Sequence, residues 1–116
     1  MYGLIGEKLG HSFSKPIHEK LANYQYNLIE LDKDELKVFL KEKNFKGVNV
    51  TIPYKTAVIP YLDSIDEKAK KIGAVNTIVN RNNKLIGYNT DYYGFLYTLD
   101  NHKITIKDKK VLIIGN

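Results

Sequence analysis

Apolar residues fall along this chain in short clusters whose spacing alternates between two and about 3.6 residues, and the alternation predicts strand, helix and strand in turn. Tyr2 to Gly6 is a compact apolar run, and the Gly- and Lys-rich stretch to Gly10 reads as a turn. Ser14 caps a helix with Pro16 in its first turn, and Ile17, Leu21 and Tyr24 are spaced for one buried face. Tyr26 to Leu31 is a second strand. Asp32 and Glu35 form a capping-box start to a helix burying Leu36, Phe39 and Leu40, with Gly47 after its end. Val48 to Ile52 is the third strand, and Pro53 opens a short helix that Pro60 ends or kinks.

The second half repeats the alternation. Ser64 with Glu67 reads as another capping box, Ile65, Ala69 and Ile72 as the buried stripe, and Gly73 as the stop. Val75 to Asn80 and Lys84 to Tyr88 are strands joined by Arg81-Asn82-Asn83, a hairpin by its turn residues. Thr90 or Asp91 begins a helix with Tyr92, Phe95, Leu96 and Leu99 on one side. Asn101 to Lys110 is polar and aperiodic, a linker, and Val111 to Ile114 is an apolar strand followed by Gly115-Asn116. The pattern is α/β: a three-layer α/β/α sandwich with a mixed, mostly parallel sheet over residues 1–101, and residues 102–116 as linker and first strand of a truncated second domain.

Composition narrows the function classes. The 116 residues suit one domain, and 43% hydrophobic with 27% charged residues is ordinary for a soluble globular protein. The net charge of +5 is spread along the chain and Arg81 is the only arginine, which argues against nucleic acid. The absence of cysteine excludes disulfides, zinc-thiolate sites and a cysteine nucleophile. No run approaches a membrane span and the N-terminus lacks a signal-peptide pattern, so no membrane partner and a cytoplasmic location are expected.

The chemistry gathers at strand ends. Gly47 to Lys55, GVNVTIPYK, runs from a β-branched strand into a Pro-led turn carrying a lysine, which places Asn49, Thr51 and Lys55 where open α/β sheets bind ligands. GYNTD, Gly87 to Asp91, is a second polar strand end, and a carboxylate at Asp91 next to Lys55 would orient the ammonium for proton transfer. Separately, Lys55 reads as a surface lysine and Asp91 as a helix cap; together they read as a site. His11-Ser12-Phe13-Ser14 lies before a helix, where hydroxyls and free N–H groups suit a carboxylate; the plainer alternative is that Ser14 only caps. Asn49 and Asn76 sit among apolar neighbours and need partners, either substrate hydroxyls or loop backbone. His11 and His18 lack a third ligand at zinc-like spacing, so no metal is expected.

HSFS with His18 beyond it, GVNVTIPYK, IGAVNTI (Ile72 to Ile78) and GYNTDYYGF (Gly87 to Phe95) together resemble the N-terminal, substrate-binding domain of the shikimate dehydrogenase family, and the tail VLIIGN resembles the first strand of its NADP-binding Rossmann domain, truncated here. The resemblance implies reversible, NADPH-dependent reduction of 3-dehydroshikimate to shikimate in aromatic amino acid biosynthesis, with NADP(H) bound mainly by a C-terminal domain that lies outside this sequence. It implies that Ser12 and Ser14 hold the substrate carboxylate and that Thr51, Asn76 and Asp91 hold its hydroxyls. Lys55, paired with Asp91, moves the proton, and Asn49 and Thr90 support the pocket. Quinate is a further candidate substrate, and a free-standing shikimate- or quinate-binding module without turnover is the alternative function. Lys15 and Glu19 stand where the family usually has Pro and Asn, a departure that leaves the serines in register.

Overall fold

A computed structural model describes residues 1–115, and Asn116 of the expected final segment lies outside the described residues. The strands are β1 (Tyr2–Gly6), β2 (Tyr26–Glu30), β3 (Gly47–Val50), β4 (Ser64–Ile65), β5 (Thr77–Arg81) and β6 (Lys84–Tyr88). The helices are α1 (Ser14–Leu21), α2 (Lys33–Glu42), α3 (Glu67–Ile72) and α4 (Asp91–Asn101). The strands form one sheet in the order β2-β1-β3-β5-β6-β4. β1 runs parallel to β2 and β3, β4 runs parallel to β6, and β5 is antiparallel to both its neighbours, so the sheet is mixed as expected.

Strand alternation divides the molecule into two layers of side chains. Ile5 joins Val48, Val50, Ile78 and Leu85 in the main core, where Leu36 and Leu40 of α2 and Ala69 of α3 cover them. Its neighbour Leu4 points the other way and packs with Leu9 and Tyr26. Leu4 is in register with Leu28 and Asn49, and Asn49 with Thr77, so a polar stripe shares this second face. α1 lies over it, with the His18 ring stacked on Tyr26 at 4.0 Å. One face of the sheet is therefore core and the other carries chemistry.

Local signals explain several elements. Asp32 accepts from the N–H groups of Asp34 and Glu35 while Glu35 returns a bond to Asp32 N–H, the capping box expected for α2. The hairpin closes through Asn82 and Asn83, both at positive φ (51° and 65°), which Asn tolerates better than other side chains. Gly73 ends α3 at φ 76°, a conformation that penalises a Cβ. Leu85 N–H and the Lys43 ammonium both donate to Asp63, holding its carboxyl below the usual range and tying the end of α2 to the β4–β6 edge.

Five expectations change. Pro53 does not open a helix: Ile52–Pro53 is cis, and the chain runs through successive turns into a single 3₁₀ turn, Ile59–Tyr61, that contains Pro60. Ser64 does not cap α3, because Ser64 and Ile65 pair with β6; the cap is Asp66, which accepts from Lys68 N–H. Gly47 follows the end of α2 as expected, and Lys43, in the left-handed region, is the residue that terminates the helix. On α1, Ile17 and Leu21 are 51% and 79% exposed, because the sheet-facing side of this short helix carries Ser14 and His18, and on α4 none of the expected apolar residues is buried. Val111 to Ile114 forms no strand and is exposed; a parallel strand of that composition needs neighbours along both edges, and the described residues provide none.

Candidate functional site

The cavity on the polar face has a volume of about 450 Å³, within the range that takes a small ligand. Ser12, Ser14, Asn49, Thr51, Lys55, Asn76 and Asp91, residues from four separate stretches of sequence, all line it. Thr90 does not line it; it stands behind Asn76, donating its N–H to Asn76 Oδ1 at 2.8 Å and accepting from Asn76 Nδ2 at 2.8 Å. The fold thus brings together every residue that the sequence placed at a site, with Thr90 as support.

Each position has a local cause. β1 ends at Gly6, where a Cβ would lie 2.7 Å from Thr51 Cγ2 and 2.8 Å from a Leu9 methyl, so only glycine lets the next loop approach Thr51 this closely. That loop is anchored when Leu9 N–H donates to Glu30 at 2.7 Å and Ser12 N–H donates to the Leu9 carbonyl at 2.9 Å. Ser12 Oγ then accepts from Ser14 N–H at 3.2 Å. Ser14 is the first residue of α1 and not its cap, so its hydroxyl is free of any capping bond. Two hydroxyls beside a helix start make a corner whose chemistry suits an anion, and Lys8 and His11 add polar lining to it.

Lining the same cavity, Lys55 Nζ lies 2.5 Å from Asp91 Oδ2. Lys55 sits in a turn, not at the helix start expected for it, and its backbone is held by Val75 N–H donating to its carbonyl at 2.7 Å. Asp91 begins α4, where a carboxylate suits the helix dipole. Their side chains are 34% and 55% exposed, so the pair is reachable by ligand and solvent. An ammonium oriented by a carboxylate beside a cavity can give a proton to a developing alkoxide and recover it.

Sequence reasoning missed Tyr26. Its ring is 2% exposed and its hydroxyl donates to Asn49 Oδ1 at 2.7 Å. Burial, with Tyr24 nearby, pushes the phenol up to about 12. The folded state therefore keeps Tyr26 neutral while the unfolded chain ionises near pH ~10, so its contribution is complete below pH ~10 and is lost as pH rises toward 12. Phenolate absorbance is expected to show a late step near pH 12 that is absent from Tyr26→Phe. Glu30 was missed as well; an acidic residue closing a mostly apolar strand was its only signal.

Residues 4–78, more than half of the chain, match the family model described as the shikimate dehydrogenase substrate binding domain. A curated relative named shikimate dehydrogenase (NADP(+)), from Clostridium beijerinckii, is 52% identical over 123 residues, covering 99% of this chain and 46% of the relative. A crystal structure of shikimate dehydrogenase from Peptoclostridium difficile superimposes with a TM-score of 0.85 at 42% identity, covering 90% of this chain and 42% of that one. The Thermus thermophilus enzyme, solved in complex with NADP(H) and shikimate, gives 0.82 at 35% identity, over 90% of this chain and 43% of that one. The chain spans about half the length of the curated relatives it matches. By sequence and by fold, the chain belongs to the shikimate dehydrogenase substrate-binding domain family.

Proposed function

We propose that this chain binds shikimate and 3-dehydroshikimate and supplies the proton-transfer group for their NADP-dependent interconversion. The observation that carries this reading is the Lys55–Asp91 pair, at 2.5 Å, on the wall of a cavity that Ser12 and Ser14 also line. A cyclic polyol acid has a carboxylate at one end and hydroxyls at the other. The serine corner suits the carboxylate, and Thr51, Asn76 and Asp91 suit the hydroxyls, with Asn49 and Thr90 behind them. Reducing a ketone to an alcohol places negative charge on the carbonyl oxygen, and Lys55 is positioned to neutralise it with a proton.

NADP(H) supplies the hydride in such a reaction. Among the described residues no complete GxGxxG fingerprint follows a strand, and the cavity is lined largely by Ser, Asn, Thr, His, Lys and Asp, groups suited to a small polar molecule. We assign cofactor binding mainly to a second domain, which residues 102–116 would join to residues 1–101. Support comes from the names of the relatives, in which NADP recurs.

The test is an enzyme carrying these residues ahead of a dinucleotide-binding domain. It is expected to oxidise NADPH when given 3-dehydroshikimate and to reduce NADP with shikimate, and competition between shikimate and quinate ranks the two acids. Shikimate binding without turnover in that enzyme would favour a binding module.

A further inference from the structure

The hydrogen bonds beneath the cavity have a direction that one backbone group dictates. Thr90 N–H can only donate, and it reaches Asn76 Oδ1 at 2.8 Å, which identifies that atom as the amide oxygen. Thr77 Oγ1 lies 3.1 Å from the same oxygen and must give it its proton. With that proton committed, Thr77 Oγ1 can only accept from Asn49, so the atom facing it at 3.0 Å is Nδ2. Asn49 Oδ1 therefore faces the Tyr26 hydroxyl at 2.7 Å, and the phenol donates. The chain of donors runs from β2 through β3 and β5 to the start of α4.

Each asparagine is left with one uncommitted N–H. Asn49 gives one N–H to Thr77, and Asn76 gives one to Thr90 Oγ1 at 2.8 Å; both residues line the cavity. Tyr26 does not line it, and its ring is clamped by stacking on His18 at 4.0 Å. We propose that Tyr26 is a positioning residue: its hydroxyl fixes the Asn49 amide so that the pocket floor offers N–H donors, at Asn49 and Asn76, to acceptor oxygens of a polyol acid. This rests on the reading of the cavity as a shikimate site. Because Tyr26 acts only through Asn49, its effect on binding disappears when the Asn49 side chain is absent.

The test combines shikimate calorimetry with side-chain amide NMR on the wild type, Tyr26→Phe, Asn49→Ala and the double variant. Tyr26→Phe keeps the ring, loses the donor and is expected to bind shikimate about tenfold more weakly, the scale of one orienting hydrogen bond. The double variant is expected to bind no more weakly than Asn49→Ala, whereas a general structural role would make the losses multiply. Without ligand, the Asn49 side-chain amide resonances are expected to move in Tyr26→Phe while those of Asn76 stay. Thr77→Val, which removes the other anchor of the Asn49 amide, moves both and serves if Tyr26→Phe does not fold. Unmoved Asn49 resonances, affinity within twofold of wild type, or multiplying losses would overturn the positioning role. If the amide shifts appear but wild type takes up no shikimate at millimolar concentration, the positioning stands and the shikimate reading falls.

Discussion

Lys55→Ala is expected to lower kcat for 3-dehydroshikimate reduction by about 10² to 10⁴, with a much smaller rise in KM, when the residues of this chain work in an enzyme with its cofactor domain. The size follows from the role: a positioned acid lowers the barrier only where charge develops, so its loss appears in turnover more than in binding. The structure makes the substitution clean. What fixes residue 55 is its carbonyl, which accepts from Val75 N–H at 2.7 Å, and alanine keeps that bond. The side chain is partly exposed and spends its ammonium on Asp91 alone, so its removal leaves no buried group unpaired. Unchanged kcat in a folded Lys55→Ala enzyme would take lysine out of the chemistry, and steady-state kinetics of the two proteins settle the point.

Ile78→Ala is expected to cost about 2–5 kcal/mol of stability, the range for emptying a fully buried branched side chain. Ile78 is 0% exposed, and on β5 it stands in register with Val48 of β3 on one side and Gly87 of β6 on the other. Its loss opens a void at the centre of the sheet, where three strands and two covering helices meet, and none of them can close in without breaking register. Small domains hold about 5–15 kcal/mol in total, so this one change removes a large share. Urea unfolding followed by circular dichroism should show a lower midpoint at an unchanged slope. Ile17→Ala is the control: its side chain is half exposed and should move stability by less than about 0.5 kcal/mol.

What could be read in the sequence was whatever neighbouring residues decide among themselves. The capping box at Asp32 and Glu35, the asparagine hairpin and the glycine stop at Gly73 are all local devices, and each appears where its residues predicted it. The site was legible for a related reason: Asn49, Lys55, Asn76 and Asp91 are polar residues at strand ends, and the sheet order places those ends side by side. Where partners lie far off in sequence, the reading failed. Ser64 has a capping residue's composition, yet the edge of β6 takes it as a strand. Pro53 looked like a helix opener, but it enters a run of turns in which the buried Tyr54 hydroxyl donates to the Leu31 carbonyl at 2.6 Å, a partner 23 positions away. Tyr26 passed for an ordinary strand aromatic because its function depends on a hydroxyl meeting Asn49 across the sheet, a contact between residues 23 positions apart.

The most direct measurement is a titration of the ¹⁵N-labelled chain with shikimate. Amide shifts that saturate and cluster at Ser12, Ser14, Asn49, Thr51, Lys55, Asn76 and Asp91 are expected, with the opposite face of the sheet around Leu36 and Leu40 unmoved. No shift at millimolar ligand, or shifts centred on that opposite face, would contradict the reading of the cavity as a shikimate site.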